Sequence, residues 1–472
     1  MEGLIYMFET YFSKEGNVTE KLMELGKEAI STATMQGADE AEAYLLLEHS
    51  DVIDVTNESC YVKKGWRGGI GVRTVIDKSM GFASSSSFGR GVTTEVAKRA
   101  VNIAKGSSAT LKRELLPYPQ TPVGIPGTFD KRFQTLDLSA LTRSLSDLCG
   151  NLTSINEITK TKIRMRNKIN YQVVVNNHGV EVEDRSTREE VTFLAYASQG
   201  SRDEMCEKST VSDSKMGLEN LRSGLHSAVE NVLSKLKSKK LDKSLNCPGI
   251  LGRRTIQYLL SYIFVYAING SNKQTSPYKN KLGDSVAAKN ITMVDDGTME
   301  GGLHTGLFDH EGVPRQKTTI IQEGILKNFI YDNYTAKLEE KTSTGNACRE
   351  GPVVYPPYAV QPTIKPSNLI LEPGNTRLQD LVSEIKSGIL VTGISSSDGY
   401  MNLASGIFKI YPNTAFWIKN GEIAYPIRDF LITGNFHDLL KQIYRVGSDL
   451  KNFGRIICPS IAVKELKVSL LH

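Results

Sequence analysis

The first part of the chain alternates between helical and strand-like hydrophobic patterns. Apolar residues recur every three or four positions over 19–34 and 93–105, which predicts two amphipathic helices, the second with Thr93 or Thr94 as its N-cap. Between them, 41–65 and 67–87 alternate apolar and polar residues, which predicts strands with a turn at Asp77–Lys78. This order of helix, strands and helix indicates an α/β module.

The middle of the chain continues this module and then ends it. Prolines and glycines concentrate in 117–127 and predict an extended connector, because proline continues neither a helix nor a central strand. Two alternating runs in 162–198 flank Asn176–Gly179, a combination typical of a β-hairpin. A clear amphipathic helix is predicted over 216–236, and we place the main domain boundary near Asp242.

The C-terminal half has a different hydrophobic pattern. Short apolar or alternating runs separated by Gly, Asn and Asp predict a mostly antiparallel sheet or barrel, with helices over 378–386 and 436–444. Asn420–Gly421 is its strongest hairpin signal. The expected fold class is therefore α+β, with an N-terminal α/β module over 1–241 and a mostly antiparallel β domain over 242–472.

Composition narrows the classes of protein that this chain could represent. Its 472 residues carry 57 basic and 52 acidic side chains, a net charge of +5 spread along the chain, so we expect no nucleic-acid binding. The six cysteines lie far apart with no C-x-x-C pair, which argues against a disulfide framework and favours the reducing cytoplasm. No secretory signal is visible, and the longest apolar run, 256–268, is shorter than the ~20 residues of a membrane span. We expect a soluble protein without membrane contacts.

Two small-residue segments suggest nucleotide or nucleophile chemistry, and both fail on spacing. RGGIGVRT, 67–74, has Gly69 and Gly71 but neither a third glycine nor a following helix, so we interpret it as a strand where backbones approach closely. TSTGNACR, 342–349, places no base beside Ser343 in the sequence, so we interpret it as a turn or a helix-capping motif. The sequence offers no catalytic residue.

Two of the seven histidines fall in one glycine-rich stretch, VDDGTMEGGLHTGLFDHEGVPRQ. His304, Asp309, His310 and Glu311 are ligand types that suit zinc or a harder cation. Their spacing fits no helical ligand pair, so we favour a mobile surface loop whose acids make hydrogen bonds. A metal site built from these four residues is the alternative.

An ordered series of segments resembles the TldD/PmbA family of metallopeptidase-associated proteins. The segments are 69–87, 282–298, 308–336, 342–349, 416–435 and PSIAVKELKV near the end of the chain. The similarity extends from about Thr19 to Leu470, nearly the whole sequence. It implies a peptide-processing role, proteolysis, and the fold of that family.

The resemblance also locates a segment whose chemistry has changed. Catalytic members of the family carry a histidine–glutamate–x–x–x–histidine zinc motif on a helix, and LLSYIFVYAING, 259–270, matches it in position. Ser261 and Tyr266 occupy the histidine positions and Tyr262 the glutamate position, and hydroxyl groups do not replace imidazole ligands or a carboxylate base on Zn²⁺. Cys458 lies in an apolar strand, unlike the glycine-rich context of the family's late cysteine ligand.

These departures make the chain similar to the PmbA branch, also called TldE, which lacks the zinc motif. The implied function is that of a zinc-less partner subunit in a cytoplasmic heterodimer or larger assembly, a protease that processes unfolded or modified peptides, with zinc in a TldD-like subunit. No cofactor is expected in this chain, and a homodimer is possible. Two alternatives stay open: a metallopeptidase in its own right, using the 304–311 loop, and a non-proteolytic interaction or modulator protein.

Overall fold

A computed structural model gives the fold and describes residues 18–471, except 123, 125–126, 153–154, 200–204, 214–218 and 352–354. The side chains of 90, 152, 205–213, 219–223 and 396–398 also lie outside the description. Part of the predicted connector, 117–127, and the predicted start of the helix over 216–236 are therefore outside the described residues.

The N-terminal half (18–236) is built on one antiparallel sheet of six strands, in the order β3-β2-β1-β4-β5-β6. The strands are β1 Glu40–Thr56, β2 Cys60–Ile76, β3 Ser79–Ser85, β4 Ile158–Asn176, β5 Glu181–Ala197 and β6 Met205–Asp213. Asp77 and Lys78 have φ of 47° and 64°, the left-handed pair of a two-residue hairpin, and Gly179 has φ of 96° between β4 and β5. Both predicted turns are confirmed.

Four helices cover one face of this sheet. They are α1 Val18–Met35, α2 Arg90–Gly106, α3 Leu138–Leu152 and α4 Glu219–Leu236. The odd-numbered side chains of β1, such as Leu45 and Ile53, are buried with these helices, whereas Tyr44 and Leu46 face the C-terminal half. The predicted cap at Thr93 or Thr94 is wrong, because α2 starts earlier, with Gly89 as its N-cap.

The C-terminal half (239–471) contains a closed circuit of five strands. These are β8 Leu245–Leu251, β15 Ser387–Asn402, β16 Ile407–Lys419, β18 Phe430–Asn435 and β22 Ile461–Leu470. β15 pairs with both β8 and β16, which closes the ring through β18 and β22. The short strands β7 Lys239–Lys240, β17 Glu422–Arg428 and β19 Ile443–Val446 extend it, and the predicted hairpin at Asn420–Gly421 joins β16 to β17.

A second sheet and several short helices complete this half. The sheet has the order β11-β10-β9-β14-β21-β20, and β12 pairs with β13. Their bounds are β9 Met293–Asp296, β10 Lys317–Gln322, β11 Ile325–Leu326, β12 Ala347–Cys348, β13 Thr363–Ile364, β14 Leu369–Leu371, β20 Lys451–Asn452 and β21 Ile456–Cys458. The helices are α5 Arg253–Leu259, α6 Val265–Ile268, α7 Asn333–Leu338, α8 Leu378–Ser383 and α9 Phe436–Lys441.

The expected α+β class with a mostly antiparallel C-terminal half is confirmed, since only three pairs, β8–β15, β14–β21 and β7–β17, are parallel in the described part of the chain. The domain boundary near Asp242 stays a prediction. Within the described ranges, no helix is both long enough and apolar enough to cross a bilayer.

The two halves meet where β2 carries small residues. A Cβ added at Gly69 would lie 2.2 Å from the Ser85 carbonyl oxygen, and one added at Gly71 would lie 2.3 Å from that of Tyr358. Tyr358 belongs to a short 3₁₀ turn of the C-terminal half, Pro357–Ala359. The interpretation of RGGIGVRT as a strand under a close backbone approach is therefore confirmed.

Candidate functional site

The apolar run 256–268 forms one continuous helical segment. It consists of α5, a π-helical turn over Leu260–Phe264, and α6. The side chains of Leu259, Ile263 and Phe264 are completely buried in the core of the C-terminal half. We call this segment the apolar helix, 253–268. Its inner face packs in the core of the C-terminal half.

The three hydroxyl residues at the zinc-motif positions lie on the opposite, outward side of the apolar helix. Ser261 Oγ accepts a hydrogen bond of 2.9 Å from Gln257 Nε2, and Tyr266 Oη lies 2.8 Å from Thr275 Oγ1. Tyr262 is 51% exposed. Because alcohol and phenol oxygens already engaged in hydrogen bonds are not zinc ligands of the type found in proteins, this donor set does not fit the metal.

Cys458, compared above with the family's late cysteine ligand, already has a hydrogen-bond partner within the chain. Its thiol is completely buried and lies 3.3 Å from the Arg253 carbonyl oxygen, to which it donates. Burial raises the pKa of this thiol well above its ordinary value. Since the thiolate is the form that binds metals, the environment of Cys458 works against a ligand role.

The glycine-rich stretch 297–312 is not the predicted surface loop, because two of its three acids, Asp309 and Glu311, are buried while only Glu300 is exposed. Asp309 and Glu311 are 0% and 1% exposed. Asp309 Oδ1 accepts from the backbone N–H of Glu311 and Val313, at 2.9 and 3.0 Å, and its Oδ2 accepts from that of Ala347 at 3.0 Å. Three backbone donors on one carboxylate stabilise this conformation of the loop.

Glu311 joins a buried ion network that ties the two halves together. Arg73 on β2 donates to Glu42 on β1 at 3.0 and 2.6 Å and to Glu311 at 2.9 Å. Arg349 of the C-terminal half donates to Glu42 Oε1, the oxygen that also accepts from Arg73 Nε, and, at 2.9 Å, to the Val360 carbonyl. Burial raises the pKa of Glu311, and the Arg73 guanidinium beside it acts in the opposite direction and favours the carboxylate. We call Glu42, Arg73, Glu311 and Arg349 the interface ion network.

A polar cavity of about 290 Å³ lies beside this network, between the even-numbered face of β1, β4 and β5 and the loops of the C-terminal half. We call it the interface cavity. Its charged lining residues are the cations Arg67, Lys168, Arg188, Arg315, Arg349 and Arg455 and the carboxylates Glu48, Asp184 and Glu350. Cys348 also lines it, and its sulfur accepts a hydrogen bond of 3.0 Å from Arg455 Nη2.

Both histidines of the glycine-rich stretch line the interface cavity. His304 Nε2 lies 3.5 Å from Arg188 Nη1, and His310 Nδ1 accepts a hydrogen bond of 2.7 Å from the Arg349 N–H. Burial first, and then the nearby arginines, hold the pKa of each imidazole well below its ordinary value. Both rings are therefore neutral at physiological pH.

The four residues of the alternative metal site do not come together as ligands. Asp309 and Glu311 are occupied by backbone donors and Arg73, while His304 and His310 face arginines. Across the residues that the structure describes, no group of three His, Cys, Asp or Glu side chains could hold a metal ion. The metal site of the 304–311 loop stays a prediction without geometric support.

Sequence reasoning missed the cations of the interface cavity. Arg188 and Arg455 belong to no motif, Arg315 lies at the end of the glycine-rich stretch but was not considered there, and each enters the cavity from a different part of the chain. The available signal was the alternation of polar residues on β4 and β5, where 168, 170, 172 and 184, 186, 188 share one face. Such alternation is equally typical of a solvent-facing surface.

Comparison with known proteins gives consistent matches. Residues 244–470 match a family model described as the PmbA/TldA metallopeptidase C-terminal domain. The metalloprotease TldD homolog of Buchnera aphidicola (subspecies Acyrthosiphon pisum) is 28% identical, over 81% of this chain and 80% of its own length. The metalloprotease PmbA of Escherichia coli O157:H7 is 24% identical, over 85% and 86%.

The fold has solved counterparts. The crystal structure of TldE from Thermococcus kodakarensis aligns with a TM-score of 0.82 and 24% sequence identity, covering 94% of this chain and 100% of that one. This match agrees with the arrangement of sheets and helices described above.

Proposed function

This chain belongs to the TldD/PmbA family, and from that premise we propose that it is the zinc-less subunit of a two-subunit metallopeptidase that processes unfolded or modified peptides. The zinc would reside in a TldD-type partner. This chain would complete the assembly without catalysing hydrolysis itself.

The observation that carries the proposal is the set of residues at the zinc-motif positions of the apolar helix. Ser261, Tyr262 and Tyr266 stand where a zinc peptidase needs two imidazoles and a carboxylate, and the oxygens of Ser261 and Tyr266 already have hydrogen-bond partners within the chain. A site that activates water needs metal ligands and a base, and none of these residue types supplies either. These residue types therefore favour a non-catalytic subunit of the assembly over a zinc enzyme.

An outward aromatic surface on the same helix supports a role in contacts with other chains. The rings of Tyr258 and Tyr262 lie 5.0 Å apart, and Tyr262 is half-exposed. Tyrosine is enriched at protein interfaces because its ring buries a large area while the hydroxyl keeps a polar partner. A peptide or partner subunit lying across this side would meet tyrosines in place of catalytic groups.

The free cysteines of the chain are compatible with a cytoplasmic assembly. The five cysteines whose side chains are described are all free thiols, and four of them are buried. Unpaired thiols suit a reducing compartment.

The test is reconstitution with a zinc-bearing TldD-type relative from the same genome. We expect the two chains to co-elute in size-exclusion chromatography and the mixture to cleave an unfolded peptide faster than the relative alone, while this chain alone is inactive. Absence of a complex together with no gain in cleavage would reject the proposal.

A matched control assigns the catalysis to one subunit. Substituting a zinc-ligand histidine of the relative should leave the complex intact and abolish cleavage. Cleavage that survives this substitution would show that the present chain carries an active site of its own.

A further inference from the structure

The cations of the interface cavity outnumber the carboxylates that face them. Glu48 is a single carboxylate shared by two cations, with Arg67 Nε at 2.8 Å and Lys168 Nζ at 3.1 Å. One positive charge of this trio is therefore left uncompensated. The side chain of Arg67 is 48% exposed, so this part of the cavity reaches solvent.

Two further guanidinium groups have donors that the protein does not fully use. Arg188 lies 3.9 Å from Glu190, at the limit of an ion pair, and its buried Nε has no hydrogen-bond partner among the described residues. Arg315 donates to the Gly345 carbonyl and to Ser367 Oγ, and no described carboxylate lies within 4 Å of it. A buried donor without an acceptor costs free energy, which a bound acceptor would recover.

His310, which also lines the interface cavity, presents one more hydrogen-bond donor. His310 accepts from the Arg349 N–H through Nδ1, so in its neutral form Nε2 carries the proton and donates. Burial is the main cause that lowers the pKa of Arg315, and repulsion from Arg455 adds to it, whereas Asp309 and Asp295 raise that pKa. Mutual repulsion among arginines in a confined space is relieved by an anion between them.

We propose that the interface cavity binds a small molecule through one oxyanion, a carboxylate or a phosphoryl group, held by Arg188 and Arg315. Planar guanidinium groups match the two oxygens of such a group in a forked arrangement. The cavity volume of about 290 Å³ is near the ~300 Å³ lower end of small-molecule sites. The lining carboxylates Glu48, Asp184 and Glu350 disfavour a polyanion, so a ligand with a single anionic group fits best. This inference does not depend on the partner role proposed above.

Titration calorimetry on the full chain at fixed ionic strength tests the proposal with three probes: inorganic phosphate, the dipeptide Ala-Ala, and Ala-Ala amide. Saturable binding of phosphate would identify a phosphoryl site. Binding of Ala-Ala but not of its amide would identify a carboxylate site. No saturable binding of either phosphate or Ala-Ala would overturn the proposal.

Two matched variants locate the binding. Arg188→Gln should lower the affinity for the probe that binds by about tenfold or more, which corresponds to the loss of one charge-assisted hydrogen bond. Arg164→Gln should change this affinity by less than about twofold. Arg164 lies on the same sheet, pairs with the exposed-side Asp54, and is absent from the cavity lining. If Arg188→Gln does not fold, Lys168→Gln replaces it, with a loss in the same direction. Equal affinities in the cavity variant and Arg164→Gln would overturn the proposal.

Discussion

The apolar helix and the interface cavity differ in whether their polar groups are buried. In the apolar helix the buried positions are apolar, such as Ile263 and Phe264, and the hydroxyl of Tyr262 lies at the surface. Around the interface cavity, charged groups are themselves buried, with Arg349 and Glu42 both at 0% side-chain exposure. The segment whose position matches the zinc motif implied by the family resemblance is thus a packing element here, while buried charged groups concentrate where the two halves meet. Substitutions at the helix should act through volume, and those at the interface through charge.

The largest expected effect is the loss of one carboxylate from the interface ion network. Glu42→Gln leaves the buried guanidinium groups of Arg73 and Arg349 without their shared partner, and breaking a buried pair in this way costs about 3–5 kcal/mol of unfolding free energy. Urea denaturation followed by circular dichroism measures it. Asp54→Asn, which breaks the surface pair with Arg164, should cost less than about 1 kcal/mol. Equal losses in the two variants would show that the network does not behave as a buried one.

A volume change in the apolar helix should come next. Phe264→Ala removes a completely buried ring and should cost roughly 3–4 kcal/mol, through lost burial and the cavity left behind. The half-exposed neighbour offers the control, since Tyr262→Ala should stay within about 1 kcal/mol of the wild type. Should the Tyr262 variant be the more damaging of the two, the inner and outer faces have been assigned the wrong way round.

A smaller effect concerns the pH dependence of stability. Asp295, buried beside Asn346, has a pKa raised by burial to about 6, against an ordinary value of about 3.9. The folded state therefore binds more protons than the unfolded state between these values, and this residue's contribution is full below pH ~4 and lost as the pH rises through ~6.

The difference between Asp295→Asn and wild-type unfolding free energies isolates that contribution. It should change by about 2–3 kcal/mol from pH 4 to pH 7, with the wild type losing stability relative to the variant as the pH rises. Parallel profiles for the two proteins would contradict the raised pKa.

Much of the fold could be predicted because its signals are local. The hairpins at Asp77–Lys78 and Asn420–Gly421 depend on residues that tolerate positive φ, and strand alternation depends on neighbours two positions apart. The run of apolar residues over 256–268 showed that this segment is too short to span a membrane, but its helical conformation was implied only by the family resemblance. The start of α2 was missed because Gly89 caps it without a side-chain signal.

The interface cavity could not be predicted, since its geometry depends on contacts between distant parts of the chain. Glu42 and Arg349 are separated by 307 positions, and Arg73 and Glu311 by 238. The 297–312 stretch resembles a surface loop in composition because glycine and acids predominate. Its buried acids have partners from distant parts of the chain: the N-terminal sheet supplies Arg73 for Glu311, and Ala347 supplies a backbone N–H for Asp309.

Zinc content of the isolated chain tests the central claim most directly. After incubation with excess zinc and exhaustive dialysis, elemental analysis should find far less than equimolar metal, because the apolar helix presents no imidazole or carboxylate at 261, 262 and 266. Equimolar zinc that survives dialysis would contradict the account. If a His304→Ala, His310→Ala double variant then no longer retained zinc, the metal site would lie in the interface cavity.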